Sequence, residues 1–226
     1  MTKYLIFDSG PLINLTTNGL LDVFKELAEK FQGEFIITNS VKYETIEHPI
    51  NIRRFEWGAI RIDHLLQDEI IRLPEDAELE INPKDLAKKT SEVMDLANNA
   101  LIIDGKPLHL IEKGESETIA LSLLLTEKGI TNAVVIDERT ARMMCEDAES
   151  LRRLMEEKLE TKITMKEKNF EQFKKVKVIR STELMFIANK KGLVDGNKES
   201  LEAVLYALKF GGCSISEKEV QMMKNL

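Results

Sequence analysis

Two apolar runs in this chain each end on an aspartate. Lys3-Tyr4-Leu5-Ile6-Phe7-Asp8 lies near the amino terminus, and Asn132-Ala133-Val134-Val135-Ile136-Asp137 repeats the pattern in the second half. Such β-favouring runs predict buried strands that deliver a carboxylate into a turn. Phe35-Ile36-Ile37-Thr38 and Val176-Lys177-Val178-Ile179 predict two further strands. Helical patterns separate them. Pro11 to Leu15 predicts a turn or short helix, and Leu20 to Phe31 a full one. After the second strand, Asn39 or Ser40 is placed to cap a helix carrying Val41, Tyr43, Glu44 and Glu47, which His48-Pro49 ends. Gly114-Glu115-Ser116-Glu117 opens another helix, whose Ile119, Leu121, Leu123 and Leu124 are apolar and whose stop is Lys128-Gly129. Three more helices are expected at about 182–191, 198–210 and 216–225. Strands alternating with helices predict an α/β fold, a mostly parallel sheet covered on both faces.

Two stretches are less regular. Residues 50–112 contain an amphipathic segment from Phe55 to Leu66, an acidic stretch from Glu75 to Glu80, a helix from Pro83 to Leu101 and a turn at Asp104-Gly105-Lys106-Pro107. Residues 146–175 are rich in charge with weak helical periodicity, and read as two helices of a surface insertion or arm. With no internal repeat, low-complexity tract or linker, the expectation is a single domain over 1–226 with helical insertions at about 50–112 and 146–175.

Composition narrows the function. At 226 residues, with 43% hydrophobic and 31% charged, the chain has material for a sizeable core. Cys145 and Cys213 stand in unrelated contexts, which argues against a disulfide framework or zinc site and for a cytoplasmic protein. No signal-peptide pattern is present, nor any apolar run near the roughly 20 residues that span a bilayer, so a membrane role is not expected. A net charge of −7 disfavours a large basic face for nucleic acid. It does not disfavour a nuclease, because enzymes that hold divalent cations need carboxylates.

Parallel strands bring their carboxyl ends to one edge, and the helices that follow begin beside it. Asp8 and Asp137 are therefore expected at that edge, joined by Glu44 and Glu117 from the first turns of two helices. Four close carboxylates repel and raise one another's proton affinity unless a cation offsets them. Mg²⁺ or Mn²⁺, which favour oxygen ligands and retain water, is the expected remedy. Glu115 and Glu117 point about 200° apart on a helix of 3.6 residues per turn, so they cannot both face one site. Glu117 shares a face with Ala120 and Leu121 and is expected to turn inward, leaving Glu115 at the rim to act through water or to favour the helix amino terminus. Plainer roles compete: Asp8 as a helix cap, Asp137 as a cap for the helix after it, Glu44 and Glu117 as solvated first-turn acids. The three histidines, His48, His64 and His109, show no ligand spacing.

The ordered set YLIFDSGPLINL, VKYETI, GESETIALSLL, VVIDERTAR and STELMFIANKKGLV resembles PIN-domain proteins, in particular a prokaryotic branch with a GExE motif. The resemblance spans most of the chain. It implies a three-layer α/β/α sandwich and a Mg²⁺- or Mn²⁺-dependent endoribonuclease, with Asp8, Glu44, Glu117 and Asp137 as the four family acids. Hydrolysis leaving a 5′-phosphate and a 3′-hydroxyl is part of that implication. Ser9 matches the hydroxyl that commonly follows the first Asp, where it binds a phosphate or water, or only its own backbone. Arg139 is a candidate for RNA phosphates, whereas Arg142 reads as part of a solvated face. Relatives of this kind include RNA-processing enzymes and toxins of toxin–antitoxin pairs, so the implied partners are RNA, a protein antitoxin and a second copy in a homodimer. The alternative is a non-catalytic PIN scaffold that binds RNA or protein. A haloacid-dehalogenase-type phosphatase requires a second Asp where Gly10 stands, and Asp8-Ser9-Gly10-Pro11 lacks a dinucleotide-binding glycine fingerprint.

Overall fold

The structure is a computed structural model that describes residues 3–77, 79–194 and 198–226. In order, the first half contains β1 (Tyr4–Phe7), α1 (Ser9–Thr17), α2 (Leu21–Lys30), β2 (Glu34–Ile37), α3 (Asn39–Lys42), α4 (Arg53–Gln67), α5 (Pro83–Asn98), β3 (Leu101–Ile103) and β4 (Lys106–Pro107). The second half contains α6 (Lys113–Glu127), β5 (Asn132–Val135), α7 (Arg139–Glu146), α8 (Ala148–Leu159), β6 (Thr164–Met165), β7 (Val178–Ile179), α9 (Ser181–Lys190), α10 (Lys198–Phe210) and α11 (Glu217–Asn225). The central sheet has the order β2-β1-β5-β7 and every pairing in it is parallel.

Alternation along the strands divides the core into two layers. Tyr4, Ile6, Ile36, Val134 and Ile136 face one side, where they pack against α5, α6, α7 and α8 through residues such as Val93, Ile119, Met144 and Leu151. Leu5, Phe7, Phe35, Ile37, Ala133 and Val135 face the other, against α1, α2, α4 and α9 through Leu12, Phe24, Leu65 and Leu184. Phe7, Phe24 and Phe35 form an aromatic triangle there, with centroids 5.1–5.3 Å apart. Strands buried on both faces need apolar residues at successive positions, which is why these runs lack polar alternation. The result is the expected α/β/α sandwich. Among the described residues no helix is long and apolar enough to cross a membrane.

Several boundaries differ from the sequence reading. Pro11 to Leu15 belongs to a longer helix, α1, because the Asp8 side chain caps it two residues upstream of Gly10 and Pro11 is accepted in its first turn. Thr38, rather than Asn39 or Ser40, caps the next helix by accepting the Val41 N–H. That helix is α-helical only to Lys42 and continues as a π-helical turn over Tyr43–Glu47.

The segment 146–175 is not a surface arm. Leu151, Met155, Ile163, Phe170 and Phe173 are buried in the layer against α6, and the second half of the segment forms β6 and 3₁₀ turns rather than a second helix. Its β6 pairs with β3, from the other irregular stretch, in a small antiparallel sheet of order β4-β3-β6. The β3–β4 link is the hairpin at Asp104-Gly105, both residues at positive φ, 49° and 77°.

Candidate active site

The chain passes from β1 outward to β2, then returns past β1 to β5 and continues to β7. Loops leaving β1 and β5 therefore diverge, opening a crevice at their carboxyl ends, the place where open α/β sheets bind ligands. Asp8 and Asp137 occupy the two lips. The backbone N–H of Asp8 donates to the Val135 carbonyl at 3.1 Å, which fixes β1 to β5 immediately below the crevice.

Asp8 is 4% exposed and caps α1, its Oδ2 accepting the Gly10 N–H at a long 3.5 Å. The capping reading is correct, yet it leaves the other oxygen over: Oδ1 is buried and has no hydrogen-bond partner among the described residues. Burial is the main cause that pushes the Asp8 carboxyl up to about 7, and the charges of Glu44 and Asp137 add to it against the opposing N–H groups of Ser9 and Gly10.

Glu44 lies in the π-helical turn after α3, a local widening that is frequent at functional sites. Its carboxylate rests on the backbone of Gly114, where a Cβ would lie 2.5 Å and 2.6 Å from its two oxygens. Gly114 is therefore required for a close approach: it leaves the space into which α3 and its π turn deliver an acid.

The next residue, Glu115, is electrostatically coupled to both Asp8 and Glu44. Glu115 accepts the Glu112 N–H at 2.9 Å in a capping box at the start of α6. Burial first, then the Asp8 charge, raise its carboxyl to about 8, with Glu138 and Glu44 adding further and the Glu112 N–H opposing. Asp8, Glu44 and Glu115 are thus mutually coupled, and Glu138, at the start of α7, borders them.

Glu117 is placed differently from the sequence expectation. Its carboxylate accepts the Ser40 N–H at 2.7 Å, so it serves the amino terminus of α3. Glu115, assigned to the rim, is the member of the pair whose carboxyl is raised by the Asp8 charge. The physical reason is that α6 is buried almost all round, with every residue from Thr118 to Leu123 in the interior, so sharing a face with Ala120 and Leu121 does not distinguish crevice from core.

Asp137 is 3% exposed and fully occupied. Its Oδ1 accepts the Ser181 N–H at 2.8 Å, and its Oδ2 accepts the Ser181 hydroxyl at 2.7 Å and the Asn14 amide at 3.1 Å. It does not cap the helix that follows it; Glu138 does, accepting the Ala141 N–H at 2.7 Å. Asp137 instead anchors the amino terminus of α9 and, through Asn14, the middle of α1. Ser9 is half-buried at the start of α1 and Arg139 is exposed at the start of α7, on either side of the crevice.

Asn14, Ser181 and Glu138 were not among the residues expected from the sequence. Asn14 carried one signal, an amide inside the apolar run Pro11-Leu12-Ile13-Asn14-Leu15; it is 2% exposed and also donates to the Leu208 carbonyl at 2.9 Å. Among the described residues, no three His, Cys, Asp or Glu side chains are gathered as a ready-made metal cage. Asp8 Oδ1, buried and without a partner among the described residues, and the Glu44 and Glu115 carboxyls coupled to Asp8 are nonetheless oxygen donors of the kind a hard divalent cation takes. Comparison of the chain with protein-family profiles, with curated proteins and with solved structures found no match.

Proposed function

We propose that the chain is a PIN-type, Mg²⁺- or Mn²⁺-dependent endoribonuclease that hydrolyses RNA phosphodiester bonds in the crevice between β1 and β5. The observation that carries this reading is Asp8: a buried carboxylate at the switch point of the sheet, with one oxygen unpartnered and two acids coupled to it. Asp8 and Glu115 would hold the cation, with Glu44 completing the oxygen set directly or through water. When bound, such an ion supplies Lewis acidity toward phosphate and a more acidic water. Glu44, seated on Gly114, orients the water side of the crevice, and Asp137 keeps Ser181 and Asn14 fixed beneath it. Ser9 and Arg139 are proposed for the scissile and neighbouring phosphates, and the products for a 5′-phosphate and a 3′-hydroxyl. In this assignment Glu117 is a helix anchor, and Glu115 takes the place that the sequence pattern gave to Glu117.

A non-catalytic PIN scaffold is the second reading, favoured by the complete hydrogen bonding of Asp137 within the fold. Incubating the protein with structured and single-stranded RNAs, in Mn²⁺ or in EDTA, separates the two. Cleavage that needs Mn²⁺ and is lost in Asp8→Asn is the expected result; cleavage that survives EDTA and the substitution comes from another enzyme, and no cleavage of any RNA supports the scaffold. The roles of toxin with a protein antitoxin, of RNA processing, and of a homodimer belong to the same proposal through the PIN resemblance.

A further inference from the structure

The only tryptophan of the chain, Trp57, is 69% exposed. It sits on the first turns of α4, whose inward face is made by Ala59, Ile62 and Leu65. Phe55, two residues earlier, is 45% exposed, and across from them Ile13 of α1 is also 45% exposed. Large aromatic side chains left in water at this density mark a surface that meets a partner. Here they border a groove of about 500 Å³ between α1, the π-helical turn and α4, with Thr16, Thr45 and Ile52 in its wall. The groove is of the size that holds a small ligand or a nucleobase with its sugar.

Two features identify the occupant. First, Glu44 lines this groove and also packs against Gly114 in the acidic crevice, so the groove and the crevice adjoin at Glu44. Second, its cations are arginines. The Arg54 guanidinium lies 4.5 Å from the centroid of the Phe55 ring, and Arg61 is held in place by donating to the Thr16 carbonyl at 3.1 Å. Neither pairs with a carboxylate among the described residues, whereas neighbouring Arg53 is tied to Glu56. In a chain with a net charge of −7, unpaired arginines beside aromatic faces make a local site for a polyanion that carries flat rings. Aromatic stacking with cationic tracking of the backbone is how proteins hold single-stranded nucleic acid, since every base offers a π face only when it is unpaired.

We propose that this groove is a base-stacking platform for single-stranded RNA, with Trp57 and Phe55 as the stacking surfaces and Arg54 and Arg61 as the phosphate contacts. It rests on the nuclease reading, and it restricts the substrate: a strand whose base lies in the groove presents its backbone to the Asp8 crevice, while a duplex, its bases stacked on one another, does not.

The single tryptophan is its own reporter. Full-length protein in EDTA, where binding is separated from cleavage, is titrated with a short fluorescein-labelled single-stranded RNA and with the same sequence as a duplex. Trp57 emission and RNA anisotropy are both followed. The expected result is quenching of Trp57 by the single strand, binding weakened about ten-fold or more in Trp57→Ala, largely restored in Trp57→Phe, and weaker binding of the duplex. Equal affinity of Trp57→Ala for the single strand overturns the platform, as does equal binding of the duplex. A concentration-dependent dimer that dissociates in Trp57→Ala, with RNA affinity unchanged, also overturns it and assigns the groove to protein contact. Binding without Mn²⁺-dependent cleavage would instead leave the platform standing and remove the nuclease reading, so the two fail separately.

Discussion

Asp8→Asn is expected to make the metal-free protein more stable at alkaline pH, with a melting temperature about 5–10 °C above that of the natural chain. The direction follows from where the proton sits. The folded-state carboxyl titrates at about 7 against an ordinary value of 3.8, because it is buried beside Glu44 and Asp137. Folded chains therefore keep a proton on Asp8 at pH values where unfolded chains have released it, and stability falls as pH rises between those two values. The contribution of neutral Asp8 is complete below about pH 4 and lost above about pH 7, a difference of about 4 kcal/mol for a shift of this size at 1.36 kcal/mol per unit. Glu115, raised to about 8, extends the same decline upward. Asn carries no charge to bury and retains an oxygen for the Gly10 N–H. The melting temperatures of the two proteins in EDTA, followed across pH, are expected to converge near pH 4 and to separate progressively above it. A constant gap, or a less stable variant at alkaline pH, would show that Asp8 is compensated in the fold.

Gly211→Ala is expected to destabilise the protein by about 1–3 kcal/mol, the range for forcing extra atoms against a packed side chain. Gly211 follows α10, and a Cβ on it would lie 1.9 Å from Asn14 Oδ1 and 2.9 Å from Asn14 Cγ. Asn14 cannot swing aside without loss. Its amide donates both to Asp137 and to the Leu208 carbonyl, and its carbonyl accepts from the Asn18 amide at 2.8 Å. The clash would therefore pass to the Asp137 anchor and to the seat of α10 on α1. Urea unfolding should show a lower midpoint with an unchanged slope. Adding Asn14→Ala removes the obstructing atoms, so the double variant should lose less than the sum of the two single changes. Strict additivity would mean that the close approach is not what costs stability.

Much of the fold was legible because the strands are written as uninterrupted apolar runs, a pattern that burial on both faces imposes. The aspartates at their ends were legible for the same reason, since a lone carboxylate at the end of such a run has few other places to lie. The divided site was less so. Glu115 and Glu117 can be told to point apart by counting residues, but on α6, buried on nearly every side, counting does not say which direction is the crevice. The amino terminus of α3 settles it by taking the Glu117 carboxylate through Ser40, and nothing near Glu117 in sequence announces that partner. The partners of Asp137 lie as far off in the chain, at Asn14 and Ser181. The segment 146–175 misled through its charge: Leu151 and Met155, one helical turn apart, form an inward stripe narrow enough to be masked by the lysines and glutamates around it.

The proposed cation at Asp8 and Glu115 is tested most directly by titrating Mn²⁺ into the metal-free protein and its variants, counting bound ions by the loss of the free Mn²⁺ paramagnetic signal. Binding by the natural chain and by Glu117→Gln, abolished or severely weakened in Asp8→Asn and Glu115→Gln, is the predicted result. Equal Mn²⁺ binding in all four proteins, or loss in Glu117→Gln with retention in Glu115→Gln, would contradict it.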